Sequence, residues 1–152
     1  MLNKLNQFLT TIIPSDTAPI RSEHTLQLAT AVLLIEVMRS DAESTDQELA
    51  TIINILKGRF NLSDTEVAKL TELGHHQSKK AHDLHQFTSL INRELERTEK
   101  VHIIEYMWKV AYADKQISAH ENHLMRKLVG LLHISHADNI SAKMRAESAG
   151  LE

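Results

Sequence analysis

The feature that most constrains the fold is an ordered series of residues that occurs twice, 73 positions apart. Each copy has an aspartate, a hydroxyl residue four positions later, a glutamate seven positions after the aspartate, and, further on, an aliphatic residue followed by serine. The first copy is Asp41, Thr45, Glu48, Leu62 and Ser63, and the second, with a one-residue gap before its last pair, is Asp114, Ser118, Glu121, Ile134 and Ser135. Self-similarity at a fixed period indicates a repeated structural unit. The sequence therefore predicts two related units in one chain.

Helix start signals accompany both copies. Thr45–Glu48, Ser63–Glu66 and Ser118–Glu121 have the spacing of a capping box, in which the hydroxyl and the carboxylate each accept a hydrogen bond from a backbone N–H of the first turn. Apolar residues follow each box at helical spacing, for example Leu49, Ile52, Ile53 and Leu56 after the first. Each box therefore predicts the start of a helix with one buried face.

These signals predict an all-α fold, a compact bundle of about seven helices that contains two pseudo-repeated three-helix units joined by the fourth helix. Ser22 is predicted to cap the first helix, and Gly58 and Gly74 to end the second and third. Low counts of glycine, proline and aromatic residues agree with a helical protein. The predicted helices span residues 22–41, 45–58, 63–74, 79–95, 98–114, 118–132 and 135–147.

Composition narrows the class of protein. A chain of 152 residues is large enough for one domain with its own core. The absence of cysteine excludes disulfides and thiolate metal sites and agrees with a cytoplasmic location. A formal net charge of -3 offers no broad basic face for nucleic acid. The most apolar segment, Leu28–Met38, is too short to span a membrane and is predicted to be a buried helix.

The two ends of the chain are predicted to lie outside the main domain. Residues 1–20 read as an amphipathic helix followed by a linker, which docks on its own domain or, alternatively, in the groove of a partner protein. Residues 21–147 form the helical domain, and residues 148–152 form a tail. Leu151–Glu152 has the form of a cloning-site scar that precedes a purification tag.

The repeated corner pattern resembles the tellurite-resistance protein TerB family over about residues 22–145. That resemblance implies an all-helical fold, an association with resistance to tellurite and related stresses, and metal binding through acidic positions instead of catalysis. Carried over residue by residue, it implicates Asp41, Glu48, Asp114 and Glu121. The family usually has glycine directly after the aspartate, where this chain has Ala42 and Lys115.

The residues themselves support two readings of each acidic corner. Hard divalent cations need several converging oxygens, and an aspartate at a helix end plus a glutamate in the next first turn supplies two of them. Glu43 and Asp46 add negative charge at the first corner, so calcium, magnesium and manganese are the candidate cations there. The alternative is purely structural, since acids near a helix N-terminus also cap it and complement its dipole. The EF-hand loop is excluded, because Asp46 and Ile52 stand where it requires glycine and glutamate.

Ten histidines form the next conspicuous feature. Three pairs have three-residue spacing, namely His82/His85, His120/His123 and His133/His136. This spacing can place two imidazoles on one helix face, but zinc needs further ligands. We interpret these residues as solvated or capping, with His120 and His123 around Glu121 as the best candidates for additional metal ligands.

No sequence motif predicts an enzyme. The chain has no phosphate-binding glycine loop and no nucleophile elbow, and Trp108 and Tyr112 share a helix face as core residues would. We therefore expect a non-enzymatic domain without an organic cofactor, which binds a divalent cation at its acidic corners and acts with a protein partner in a stress response. The alternative is a metal-independent helical adaptor.

Overall fold

A computed structural model describes residues 18–40, 46–80, 84–113 and 117–150, with side chains placed in residues 24–40, 46–80, 84–113 and 117–148. The described residues form seven helices and contain no strand, which confirms the all-α prediction. The helices are α1 (Ala18–Arg39), α2 (Asp46–Phe60), α3 (Asp64–Lys80), α4 (His85–Glu94), α5 (Arg97–Ala111), α6 (Ala119–Leu131) and α7 (His136–Gly150).

The predicted apolar helix lies at the centre of the bundle. Between Leu28 and Met38, all residues except Glu36 are buried, and α1 packs against each helix from α2 to α6. A helix that is apolar on nearly all sides must be enclosed by others, so the composition of α1 accounts for its position. Helix α5 is its counterpart in the second half and packs against α1, α2, α6 and α7. The two halves therefore share one hydrophobic core.

Helices α1 and α3 run parallel and approach closely at Gly74. A Cβ atom added at Gly74 would lie 2.9 Å from Ile35 Cδ1 and 3.1 Å from Ala31 Cβ. Further along the same pair of helices, Ser78 contacts Glu36. The prediction that Gly74 ends the third helix is therefore wrong: α3 continues to Lys80, and glycine is present because a larger residue would push the two helices apart.

Helix α2 ends at Phe60, two residues beyond the predicted stop at Gly58. Asn61 has a φ of 54°, and the Leu62 amide donates to the Lys57 carbonyl at 3.1 Å. Asparagine tolerates this left-handed conformation better than most residues, and the bond is the one that closes a Schellman motif. Asn61 thus performs the role that the sequence assigned to Gly58.

The end of α6 has the same geometry. His133 has a φ of 57°, and the Ile134 amide donates to the Val129 carbonyl at 3.1 Å. Serines then accept from the amides three residues later, Ser63 from Glu66 at 3.2 Å and Ser135 from Asp138 at 3.1 Å. The connections from α2 to α3 and from α6 to α7 are therefore alike in detail. Duplication of a whole three-helix unit stays a prediction.

Other predicted boundaries also differ from those observed, including the end of α5, which lies at Ala111 instead of residue 114. Helix α1 begins at Ala18, before the predicted cap at Ser22, and Pro19 is compatible with a first helical turn, where its missing N–H costs nothing. Helix α4 begins at His85 instead of residue 79, because α3 extends to Lys80. Helix α7 continues to Gly150, past residue 147.

The predicted N-terminal helix, its linker before residue 18 and Leu151–Glu152 lie outside the described residues. Within the part of the chain that the structure describes, no helix is both long enough and apolar enough to cross a membrane.

Candidate functional site

Glu48 lies in the interior of the protein. It is the third residue of α2, and its side chain is fully enclosed, with 0% relative exposure. Ile52 and Leu56, one and two turns further along, are buried on the same face. Glutamate is almost never fully buried unless its charge is compensated. Glu48 is thus an unusual acidic residue in that it lies entirely within the core.

Glu121 occupies the same position in α6 and is also 0% exposed. Its Oε1 accepts a hydrogen bond from the Ser118 amide at 2.9 Å, and its own amide donates to Ser118 Oγ at 3.1 Å. The predicted capping box is therefore present. Met125 and Leu128 continue the buried face of the helix.

Glu66 provides the comparison that separates capping from burial. It completes a capping box with Ser63, accepting from the Ser63 amide at 3.0 Å, yet its side chain lies at the surface. The two hydrogen bonds with Ser63 hold the pKa of Glu66 below its ordinary value. Because the same box forms where the glutamate is partly exposed, capping alone does not explain why Glu48 and Glu121 are enclosed.

The remaining predicted ligands fall into two groups. Asp41, Glu43 and Asp114 lie outside the described residues, as does Thr45. Asp46, the first residue of α2, is exposed. Among the residues with described side chains, no three acidic or histidine side chains form a group that could hold a metal ion. Of each predicted pair of aspartate and glutamate, the structure therefore describes the glutamate alone.

The described histidines of the predicted pairs lie on the surface. His120 and His123 are both exposed on α6, while the carboxylate of Glu121 between them is turned into the core. His85 and His136 are exposed first residues of α4 and α7, and His133 is the left-handed residue after α6. His82 lies outside the described residues.

Trp108 and Tyr112 belong to the packed interior and its edge, in line with the core interpretation. Trp108 is 3% exposed, and its Nε1 donates to Asn139 Oδ1 at 2.9 Å. The centroids of the Trp108 and Tyr112 rings are 6.2 Å apart. The bond between Trp108 and Asn139 joins α5 to α7.

The sequence alone did not suggest the polar cluster at the end of α1. Arg39 Nη1 donates to Ser78 Oγ at 2.8 Å and to Glu36 Oε1 at 3.3 Å, and Ser78 Oγ donates to the same Glu36 oxygen. Ser78 is 1% exposed. The Glu36 carboxylate is thus bound to Arg39 and to Ser78 of α3.

A small cavity of about 150 Å³ lies beside this cluster. It is lined by Glu72, Leu73, His75, His76 and Lys79 of α3. Partial burial, with added repulsion from Lys79 and Arg39, lowers the pKa of His75. The guanidinium of Arg39 is thus held close enough to α3 to act on His75.

One sequence signal could have revealed the buried glutamates. Glu48 precedes Ile52 and Leu56 by one and two helical turns, and Glu121 precedes Met125 and Leu128 in the same way. Positions four residues apart share a helix face, so both glutamates continue an apolar stripe. The capping-box spacing indicates where each helix starts, while the apolar stripe indicates which face the glutamate occupies.

Together, the fold and these positions define an all-helical domain with a single core, in which two helix starts each place a glutamate in the interior. A family model described as tellurite resistance protein TerB matches residues 27–144, which is most of the chain. The protein belongs to the TerB family. No curated protein and no solved structure matched the chain.

Proposed function

We propose that this TerB-family domain is a non-enzymatic binder of a divalent cation, with the Glu48 and Glu121 carboxylates as the interior ligands of its two corners. The observation that carries the proposal is the complete burial of both side chains, in contrast to the partly exposed capping glutamate Glu66. Asp41 and Asp114, seven residues before each glutamate, are the proposed second ligands.

The chemistry favours a hard cation. Carboxylate oxygens are the preferred ligands of calcium, magnesium and manganese, and a buried carboxylate gains most from an ion because little water competes for it. The first corner is the stronger site, since Glu43 and Asp46 add negative charge to it. At the second corner, Lys115 follows Asp114 and opposes a cation.

Calorimetric titration of tag-free protein with calcium, magnesium, manganese and zinc tests the proposal. We expect saturable binding of at least one of the first three, together with a rise in Tm, because a ligand that binds only the folded state stabilises it. The double variants Asp41→Asn/Glu48→Gln and Asp114→Asn/Glu121→Gln should each remove one site, with the larger loss at the first corner.

Glu66→Gln is the matched control, because it changes a capping glutamate that has the same position in its helix but is partly exposed. Its cation affinity should equal that of the wild type. Absence of saturable binding by the wild type, or an equal loss in Glu66→Gln, would reject the proposal. Zinc binding that disappears only with His120→Ala/His123→Ala would replace the carboxylate site with a histidine site.

We infer further that cation binding serves association with a protein partner in a tellurite or general stress response in the cytoplasm. Support for this comes from the family to which the chain belongs. In a host that lacks the protein, the wild type and the Glu66→Gln variant should restore growth on tellurite equally, and the two corner double variants should not. Equal rescue by all variants would separate the stress role from the cation.

The alternative, a metal-independent adaptor, is favoured by one observation. Ile140 and Met144 lie one turn apart on α7 and are 38% and 60% exposed, which is unusual for large apolar side chains in a closed bundle. Partner binding that survives chelation but is lost in Ile140→Ser/Met144→Ser would support the adaptor. Dependence on residues 1–13 would assign the contact to the predicted N-terminal helix instead.

A further inference from the structure

Another cavity, of about 410 Å³, lies between α5 and α7, and we refer to it as the α5–α7 cleft. Its lining is mostly polar and includes Arg97 and His102 of α5 together with Asp138, Ser141 and Arg145 of α7. Pockets that bind small molecules have volumes of roughly 300–1,000 Å³, so the cleft is large enough for one. It lies on neither of the helices, α2 and α6, that carry the buried glutamates.

Two ion pairs connect α5 and α7 along this cleft. Arg97 Nε donates to Asp138 Oδ2 at 2.7 Å, and Arg97 Nη2 lies 2.7 Å from the same oxygen. In the reverse direction, Arg145 of α7 donates through Nε to Glu105 of α5. The arginine side chains are nevertheless 75% and 51% exposed. The ion pairs therefore orient two guanidiniums that stay open to solvent.

Each guanidinium keeps hydrogen-bond donors for a further acceptor. Arg145 bonds through Nε, and within the part of the chain that the structure describes its two terminal nitrogens have no acceptor. The same is true of Nη1 of Arg97. Glu105 also lies 3.5 Å from Lys109 Nζ, so one carboxylate is shared between two cations. The positive charge beside Arg145 is thus only partly compensated, which favours an anion there.

The donors of the cleft are arranged in a row. Asp138, which holds the Arg97 guanidinium, precedes Arg145 by seven residues, or about 10 Å along the axis of α7. Ser141 lies between these two positions on the same helix face. His102 lines the cleft from α5, five residues after Arg97. An exposed hydroxyl and an exposed imidazole therefore lie along the path from one guanidinium to the other.

We propose that the α5–α7 cleft binds an oligophosphate, with the guanidiniums of Arg97 and Arg145 at its two ends and Ser141 and His102 along the chain of phosphates. Arginine suits this ligand because its planar fork donates parallel hydrogen bonds to two phosphate oxygens. At the separation of the two guanidiniums, a single phosphate or carboxylate engages one of them, whereas a chain of phosphates reaches both. The inference does not depend on the proposed cation function.

Calorimetric titration of the full chain with tripolyphosphate, orthophosphate and ATP tests this proposal. Divalent cations are first removed with a chelating resin, and low salt limits screening of the arginine charges. We expect saturable binding of tripolyphosphate that is roughly tenfold tighter than that of orthophosphate, because the longer anion gains a second charged hydrogen-bonding partner. Equal affinity for ATP would identify the phosphate chain as the recognised group, and tighter binding of ATP would identify a nucleotide as its source.

Substitutions test whether the two arginines act together. Arg97→Gln and Arg145→Gln should each remove the preference for tripolyphosphate over orthophosphate, since one guanidinium remains in either variant. Arg126→Gln is the charge-matched control, because Arg126 is an exposed arginine of α6 outside the cleft, and its affinities should equal those of the wild type. Ser141→Ala keeps both ion pairs and should weaken tripolyphosphate binding by roughly two- to fivefold. Circular dichroism checks that each variant is folded, as expected when the lost ion pairs are exposed.

The amide NMR spectrum locates the bound anion. Shifts induced by tripolyphosphate should centre on His102 and Ser141, and shifts centred on another part of the fold would contradict the site. Absence of saturable binding, or an equal loss of affinity in Arg126→Gln, would overturn the proposal. So would orthophosphate binding as tight as that of tripolyphosphate, because the two arginines would then not act together.

Two further results would separate this site from other functions. An RNA oligonucleotide that binds more tightly than tripolyphosphate and depends on both Arg97 and Arg145 would assign the cleft to nucleic acid and overturn the oligophosphate proposal. Calcium, magnesium or manganese binding that is unchanged in Arg97→Gln and Arg145→Gln would show that the cleft and the acidic corners are independent. Failure of either site therefore leaves the other unaffected.

Discussion

Gly74 allows α1 and α3 to approach closely because it has no side chain. Ala31 and Ile35 of α1 occupy the space that a Cβ at Gly74 would need, and both are 0% exposed. By contrast, a Cβ at Gly58 would meet nothing within 4 Å. The two glycines therefore lie in helices for different reasons, one because of packing and one without any steric need.

Substitution of the two glycines separates these effects. Gly58→Ala should stabilise the protein by about 0.5–1 kcal/mol, because alanine loses less conformational entropy in a helix. Gly74→Ala should destabilise it by about 1–2 kcal/mol, since overpacking between α1 and α3 exceeds the same gain. Urea unfolding of both variants measures the difference. Equal stabilisation by the two would show that α1 and α3 separate without cost.

At the scale of the element, the same capping box forms at helix starts in two environments, the interior and the surface. The Ser118–Glu121 box lies partly in the interior and the Ser63–Glu66 box lies at the surface, although their hydrogen bonds are nearly the same length. The local sequence forms the box in both places. The helix face on which the glutamate falls decides whether the carboxylate becomes buried.

Removal of the two serine caps should therefore lower the free energy of unfolding by unequal amounts. Ser63→Ala should cost about 0.5–1 kcal/mol, within the usual range for a surface cap. Ser118→Ala should cost about 2 kcal/mol, because the Glu121 amide that loses its acceptor is partly buried, where water replaces the lost bond less well. Chemical denaturation at neutral pH gives both values, and equal losses would contradict the distinction.

The Ser63 cap should also respond to pH in a defined direction. The pKa of Glu66 is lowered from 4.5 by its hydrogen bonds with Ser63, so its charged form is favoured in the folded state. The stability that it contributes is present above pH 4.5 and is lost as the pH falls through the lower folded pKa. The stability difference between wild type and Glu66→Gln, measured by urea unfolding, should shrink from pH 7 to pH 3. A constant difference would show that the Glu66 charge does not contribute.

On the scale of the whole molecule, the two halves are joined because they bury apolar residues in one common core. Helix α1 of the first half contacts α4, α5 and α6, and α5 of the second half contacts α1 and α2. Ile103, Ile104 and Met107 of α5 are between 0% and 2% exposed within this common core. Neither half can bury its apolar residues alone.

Unfolding should therefore be a single cooperative transition. We expect the full chain to melt with coincident transitions by circular dichroism and Trp108 fluorescence, as a single core requires. A fragment of residues 84–150, which lacks α1, should show helical signal without a cooperative transition, because the core surface of α5 loses its cover. A sharp transition in the fragment would identify the second half as an independent domain.

Local chemistry made the helices predictable. Capping boxes and apolar periodicity placed the starts of α2, α3 and α6 within a residue or two. Helix ends were harder to predict from the sequence. A helix can end at asparagine or histidine with positive φ, as at Asn61 and His133, and can continue through a glycine such as Gly74. The candidate site was predictable as a set of acidic positions, whereas the contact between Glu36 and Ser78 was not, because these residues are 42 positions apart.

The sequence by itself determined the helical class, the capping boxes, the central apolar helix and the membership of the TerB family, because these depend on neighbours within a few residues or on a recurring pattern. Only the tertiary structure decided which carboxylates are enclosed. Glu48, Glu66 and Glu121 have the same local spacing, but burial depends on what packs against each helix face. The same reason applies to Gly74 and to Arg39, since the groups that constrain them come from another helix.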